Sequence, residues 1–337
     1  MVLLLKNLSR IHAIIYSWVK LKIFKVNAPL FAEWNLTFRC PYQCLYCGAN
    51  ELKIKELETN EILERLSILY KTGIRWITFG GGEPLVKKDI MKILGYAKSL
   101  GFSVYLSSTG SGIEKYDGIE HVVDHINLSF DGPADVHDAI RGKGTYERLF
   151  HVVNFCKSKN ISMSFLCVIS KINIGAIDFV LERAKEMNIK VMFQPATLHL
   201  DSSLNINPIA PKREDYTQVI KKVIDAKRKG YPVRNSYAGL KYLSYWPEPH
   251  SIWCPAGRLT FTIEPDGSLL SCHLYETRRL YGKESNNLSK NNDHSFDKLL
   301  KNLKVPQGCA TCWCAPIVEL ALIWQLNPSA IWNALWM

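Results

Sequence analysis

The stretch FAEWNLTFRCPYQCLYCG, residues 31–48, decides how the rest of the chain is read. Its first half is rich in aromatic and branched residues, as a β-strand is. Its second half supplies Cys40, Cys44 and Cys47 at the spacing C-x3-C-x2-C, with no fourth cysteine nearby. A structural zinc site closes its tetrahedron with four ligands drawn from cysteine and histidine, so this stretch stops one short. Three thiolates instead suit an iron-sulfur cluster on which one iron keeps an open position. A zinc shell would need Cys156, Cys167 or a histidine to complete it, and those two cysteines fall in a predicted helix and a predicted strand far along the chain.

Outward from this stretch, strand-like runs alternate with helical ones. FAEWNLTF, IRWITFG, FSVYLSS, HINLSF, ISMSFLCVI and KVMFQ carry the branched and aromatic residues of strands. Between them lie ETNEILERLSILYKTG, DIMKILGYAKSLG and IGAIDFVLERAKEMN, the last with Ile177, Val180, Leu181 and Ala184 at i, i+3, i+4 and i+7. Repeated strand-helix units predict an α/β fold, a parallel sheet or an incomplete barrel. CPYQCLYC follows the first strand, GGGEP the second, STGS the third and DGP the fourth. All four therefore fall at strand C-terminal ends, the edge where parallel α/β folds carry their ligand sites.

Composition sets the outer limits. With 47% hydrophobic and 22% charged residues in 337, the chain is an ordinary globular one, large enough for one α/β domain and a smaller module. KESNNLSKNNDHS, residues 283–295, reads as a polar surface loop. Ten cysteines clustered in short loops, without a signal-peptide cleavage site, predict a reduced, cytoplasmic protein. The net charge of +11 is compatible with nucleic acid or an acidic membrane, yet no basic stripe with interleaved aromatics speaks for nucleic acid. Residues 1–30 form a basic amphipathic segment whose charge-free run is too short to cross a bilayer. That segment and the apolar run IVELALIWQLNPSAIWNALWM are expected to cover the core, with peripheral contact at the inner face of the membrane as the lesser expectation.

At this point the sequence resembles the radical S-adenosylmethionine enzymes. The resemblance rests on the cysteine trio with Tyr46 before its last member, on Gly81, Gly82, Glu83 and Pro84 as the family's GGEP, and on SFDGPADVHDAIRGKGTY. It implies a partial (β/α)6 TIM-like barrel over residues 31–235 and a 4Fe-4S cluster whose open iron chelates S-adenosylmethionine. One-electron reduction would then split the sulfonium and yield a 5'-deoxyadenosyl radical that takes hydrogen from a substrate. Gly81 and Gly82 would let backbone approach the methionyl end, Glu83 would accept from its ammonium, and Ser129 and Arg141 would receive its carboxylate. Ser108, Thr109 and Gly110 stand where the family often has Thr-Asn-Gly. Asp131 has two readings, a residue of the cavity or a turn-stabilising aspartate before Gly132. The resemblance assigns no catalytic side chain.

A second cysteine set follows residue 250. Cys254 and Cys272 bracket a predicted hairpin with Asp266 and Gly267 at its turn, and CATCWC adds Cys309, Cys312 and Cys314. Two such halves can close a four-thiolate site, for zinc or for iron-sulfur. Here the sequence resembles the SPASM or shortened twitch extension, which implies a small cysteine-rich domain over 236–337 holding a second, auxiliary 4Fe-4S cluster. Its implied ligands are Cys254, Cys272, Cys309 and Cys312, with Cys314 as the alternate. Cys156 and Cys167 are expected to pack as small hydrophobes, and His137, His199 and His273 to be ordinary histidines.

The function implied is that of a radical oxidoreductase or maturase supplied by an external electron donor such as a flavodoxin or ferredoxin. A small molecule or lipid is favoured as substrate over a peptide, because the segment before the barrel is too short for a leader-binding domain. The rivals are a noncatalytic iron-sulfur carrier or scaffold, which gives no reason for GGEP, and an RNA-modifying enzyme.

Overall fold

The computed structural model describes residues 2–47, 49, 52–198, 207–272, 296, 300, 303, 304 and 311–335, with side chains from residue 10 onward. Residues 283–295, His199, His273 and Cys309 lie outside the described residues.

After a first helix α1 (Val2–Lys22), strands and helices alternate in the order the pattern predicts. They run β1 (Phe31–Thr37), α2 (Thr59–Lys71), β2 (Trp76–Gly81), α3 (Ile90–Leu100), β3 (Ser103–Ser108), α4 (Ile119–Val122) and β4 (His125–Ser129). Next come α5 (Ala134–Arg141), α6 (Thr145–Ser158), β5 (Met163–Ile169), α7 (Ile177–Met187), β6 (Val191–Pro195), α8 (Arg213–Arg228) and α9 (Tyr237–Leu243). The C-terminal part contributes β7 (Thr260–Ile263), β8 (Leu269–Leu270), α10 (Ala315–Trp324) and α11 (Pro328–Leu335).

Local chemistry sets the helix ends. Glu58 opens α2 in a reciprocal capping box, its backbone N–H donating to Glu61 Oε2 at 2.9 Å. Gly101 closes α3 at φ 107°, a conformation open to a residue without Cβ. Within β1, alternate residues Ala32, Trp34 and Leu36 are buried, where they join Phe79, Ile77, Leu66 and Leu94 in the core between sheet and helices.

The sheet has the order β6-β5-β4-β3-β2-β1-β7-β8. The first six strands are parallel neighbours in sequence order, the arrangement of an incomplete barrel with helices outside. β7 adds in parallel to the other edge of β1 and turns back antiparallel into β8. The turn is the expected one: Gly267 has φ 82° and Asp266 Oδ1 accepts from the backbone and hydroxyl of Ser268. The segment after residue 236 thus shares the barrel's own sheet, and Asn235 is tied to β6 by two bonds with the Phe193 backbone. α10 closes against β6, with Ala315 N donating to Gln194 Oε1 at 3.1 Å.

α1 packs through Ala13 and Leu21 on Leu30, Leu259 and Trp324. No described helix is long and apolar enough to cross a membrane.

Candidate active site

The loop that follows β1 carries the cysteine trio, and the sheet holds it at both ends. On its near side, Gly82 N donates to Thr37 O at 2.7 Å and Glu83 N to Arg39 O at 2.9 Å. On its far side, Leu45 N donates to Ile140 O at 3.0 Å, and Cys47 N closes a turn on Cys44 O. The GGGE stretch therefore grips the backbone immediately before Cys40, while α5 grips it between Cys44 and Cys47.

This changes what the glycines do. A Cβ on Gly81, whose φ is 114°, would overlap the Thr37 carbonyl oxygen, and one on Gly82 would lie 2.6 Å from Phe38 O. The missing side chains admit the chain that leads to Cys40, at a bulge where the register of β1 and β2 slips between Asn35 and Thr37. That close approach is within the protein, and it adds to the approach to a cofactor that the sequence resemblance implies.

Glu83 is fully buried behind the same rim. Oε1 accepts from Leu85 N and Ser108 Oγ, and Oε2 from Thr109 N and Oγ1, all between 2.5 and 3.0 Å. Burial raises its pKa, against those four bonds. The carboxylate expected to meet an ammonium is thus already engaged in tying β2 to the end of β3.

The other rim residues converge on one narrow cleft, lined by Tyr42, Cys44, Thr109, Ser129, His137, Arg141, Thr145 and Leu149. Cys44, Ser129 and Arg141 arrive from the ends of β1, β4 and α5, as the motif placement predicts. Arg141 is nearly buried; its Nε donates to Asp131 Oδ2 at 2.6 Å, and Asp131 Oδ1 accepts from Val168 N. Its guanidinium lies 5.4 Å from the centre of the Tyr46 ring, and Nη1 is 4.0 Å from Cys44 Sγ. Burial works against the Arg141 charge, but Asp131, Tyr46 and Cys44 together outweigh it and the pKa is raised. Both carboxylate oxygens of Asp131 are thus engaged by Arg141 and Val168.

His137, expected to be an ordinary packed or hydrogen-bonded histidine, is buried at the edge of this cleft. It stands one helical turn before Arg141 on α5, the i, i+4 spacing that puts both on one face. Its Nδ1 accepts from Asp131 N at 3.2 Å, and burial lowers its pKa to about 4, leaving it neutral. Cys156 and Cys167 are buried in α6 and β5.

The donor set fits a soft metal cluster. Cys40 has its pKa raised to about 11, first by burial and further by Glu83, Cys44 and Cys47, so the three thiols lie within electrostatic reach of one another. Cys44 is raised by burial against the pull of Arg141. Among the described residues no three His, Cys, Asp or Glu side chains are drawn to coordinating distance of a single ion. Cys40, Cys44 and Cys47 would hold such a cluster, bound iron would favour their thiolates, and the Arg141 guanidinium beside Cys44 would do the same there.

In the second set, Cys312 has its pKa raised well above the ordinary value, first by burial and then by Cys314, Cys272 and Cys254. Four described thiols therefore share one neighbourhood. Cys314 is buried at the start of α10, and Cys312 N donates to Tyr242 Oη at 3.1 Å.

Residues 34–184 match the Radical SAM superfamily, a class of enzymes that works with a 4Fe-4S cluster and S-adenosylmethionine. Beyond the class, the chain is 27% identical over 269 residues to the PqqA peptide cyclase of Rhizobium meliloti (strain 1021), covering 75% of this chain and 70% of that one. Its fold is similar to that of Streptococcus suis SuiB bound to S-adenosylmethionine, with TM-score 0.63 and 16% identity over 79% of this chain. This chain spans 65% of the SuiB chain. It is also similar to anSMEcpe with bound AdoMet and Cp18Cys peptide, with TM-score 0.59 and 20% identity over 86% of this chain and 88% of that one.

Proposed function

We propose that the protein is a radical S-adenosylmethionine oxidoreductase or maturase that takes hydrogen from a peptide. The observation that carries this is the single cleft in which Cys44, Ser129 and Arg141 meet, with the Cys40–Cys47 loop clamped on either side. A cluster with bound S-adenosylmethionine supplies a 5'-deoxyadenosyl radical. The chain's own part is to hold the thiolates, to present Ser129 and the Arg141 guanidinium to a carboxylate, and to keep Arg141 fixed through Asp131. Glu83 serves by bracing the rim, through Ser108 and Thr109.

The substrate class moves from the small molecule or lipid of the sequence reading to a peptide. Three similar proteins carry a peptide in their descriptions: the PqqA peptide cyclase, SuiB with precursor peptide SuiA, and anSMEcpe with Cp18Cys peptide. An auxiliary 4Fe-4S cluster on Cys254, Cys272, Cys312 and either Cys309 or Cys314 belongs to the same reading. It is supported by the four described thiols that gather at Cys312. An external flavodoxin or ferredoxin would deliver the electron.

The test is anaerobic. Reconstituted protein with dithionite and S-adenosylmethionine is expected to form 5'-deoxyadenosine, and Cys44→Ala is expected to form none. A peptide fraction from a cell digest should raise the rate above that of protein alone. A rise with a lipid extract and none with peptides would overturn the substrate class while leaving the chemistry.

A further inference from the structure

The first helix is built inside out. Its buried side carries small residues, Ala13 at 5% and Ser17 at 2% exposure, with Leu21 completing the contact on Trp324 and Leu259. Ile11, Ile14, Ile15 and Trp18 recur at i, i+3, i+4 and i+7 and so fall within an arc of about 100°. They face solvent, with Ile11 54% and Ile15 58% exposed. Ile23, Phe24 and Val26, just past the helix end, are exposed as well. A helix that only covers a core turns its large apolar side chains inward.

Charge says what covers this face. Residues 1–32 hold Lys6, Arg10, Lys20, Lys22 and Lys25 and no aspartate or glutamate. Pairing this face with a second copy of itself would bring two basic surfaces together, which like-charge repulsion opposes. An anionic lipid surface takes both features at once: the headgroup region accepts isoleucine and tryptophan, and the lysines meet the phosphates. Lys20 and Lys22 already lie over Tyr16 and Trp253, at 4.6 and 5.9 Å from the ring centres, so cation and aromatic are presented side by side. The helix is not long and apolar enough to span.

We infer that the protein docks on anionic membranes through the Ile11, Ile14, Ile15 and Trp18 face of α1, with α1 lying in the plane of the surface. This inference does not depend on the chemistry of the cleft.

Cosedimentation tests it, with vesicles of phosphatidylcholine containing phosphatidylglycerol and vesicles of phosphatidylcholine alone. The full chain is expected to sediment with the first and to remain largely in solution with the second, and salt should weaken the binding. I15S and W18S should each weaken binding about tenfold, because the side chain lost is a membrane anchor on the protein's outside. K20E/K22E/K25E should abolish the preference for phosphatidylglycerol with the apolar stripe intact. Unfolding curves of I15S and W18S are expected to match wild type, since those side chains face solvent. Failure of the wild-type protein to bind, or equal binding by W18S, would overturn the inference. So would sedimentation velocity showing a dimer that I15S and W18S dissolve, since the face would then belong to a second copy.

Discussion

Gly81→Ala is the substitution that most sharply probes how the cysteine loop is held. Two costs follow from the structure. The residue sits at φ 114°, a conformation that costs an L-residue about 1–3 kcal/mol. The new Cβ would also overlap the Thr37 carbonyl oxygen and press on Asn35 Cα and Cβ, each at 3.3 Å. Those neighbours are backbone and adjoining Cβ at a sheet bulge and have little room to yield, so overpacking adds about 1–3 kcal/mol. The expected loss is about 2–6 kcal/mol. Gly73→Ala isolates the first cost: φ is 106° there and nothing lies within 4 Å of the new atom. Urea unfolding of the apo-protein at matched pH should therefore place G81A about 1–3 kcal/mol below G73A. The damage is local to the chain entering Cys40, so reconstituted G81A should also bind less iron at the first site. If G81A proves no less stable than G73A and loads iron fully, the clamp described here does not position the loop.

Other perturbations bear on separate parts of the account. Asp131→Ala strands the Arg141 guanidinium in a nearly buried position, and its unfolding free energy should fall by about 3–5 kcal/mol; a drop under about 1 kcal/mol would show a solvated, dispensable pair. Glu56 is pushed up by burial, but hydrogen bonds from Arg39, Thr37 and Lys87 outweigh that and lower its pKa from 4.5 to about 2. Because the folded value is depressed, its contribution is present above pH 4.5 and is lost as pH falls toward 2. Denaturation midpoints of Glu56→Gln should fall less steeply than wild type across that window, and parallel curves would contradict the assignment. In the variant with Cys40, Cys44 and Cys47 all replaced by Ala, the auxiliary site should retain iron and inorganic sulfide together; zinc without sulfide would remove the second cluster.

Much of this architecture was legible because unusual residues stand where period-2 runs stop. CPYQCLYC, GGGEP, STGS and DGP each follow a strand, and parallel pairing brings those four ends to one rim. Local pattern could not show how the rim residues bind one another. Ser108 and Thr109 reach Glu83 because β3 pairs with β2, and the Arg141 bond to Asp131 spans a loop and a helix. The addition of β7 to β1 joins residues more than 200 positions apart, a contact no local periodicity encodes. Nor could local pattern show that the chain at Thr37–Arg39 approaches Gly81 and Gly82 so closely. His137 is the buried, hydrogen-bonded histidine a lone histidine is expected to be, but its partner, the Asp131 backbone, is not visible in a local pattern.

The central claim is that three thiolates leave one iron of the first cluster open to S-adenosylmethionine. Electron paramagnetic resonance tests it most directly, on reduced protein in which Cys254, Cys272 and Cys312 are replaced by Ala so that the first cluster alone contributes. Adding S-adenosylmethionine is predicted to change the spectrum of that cluster, and a spectrum that stays the same under saturating S-adenosylmethionine would contradict the account.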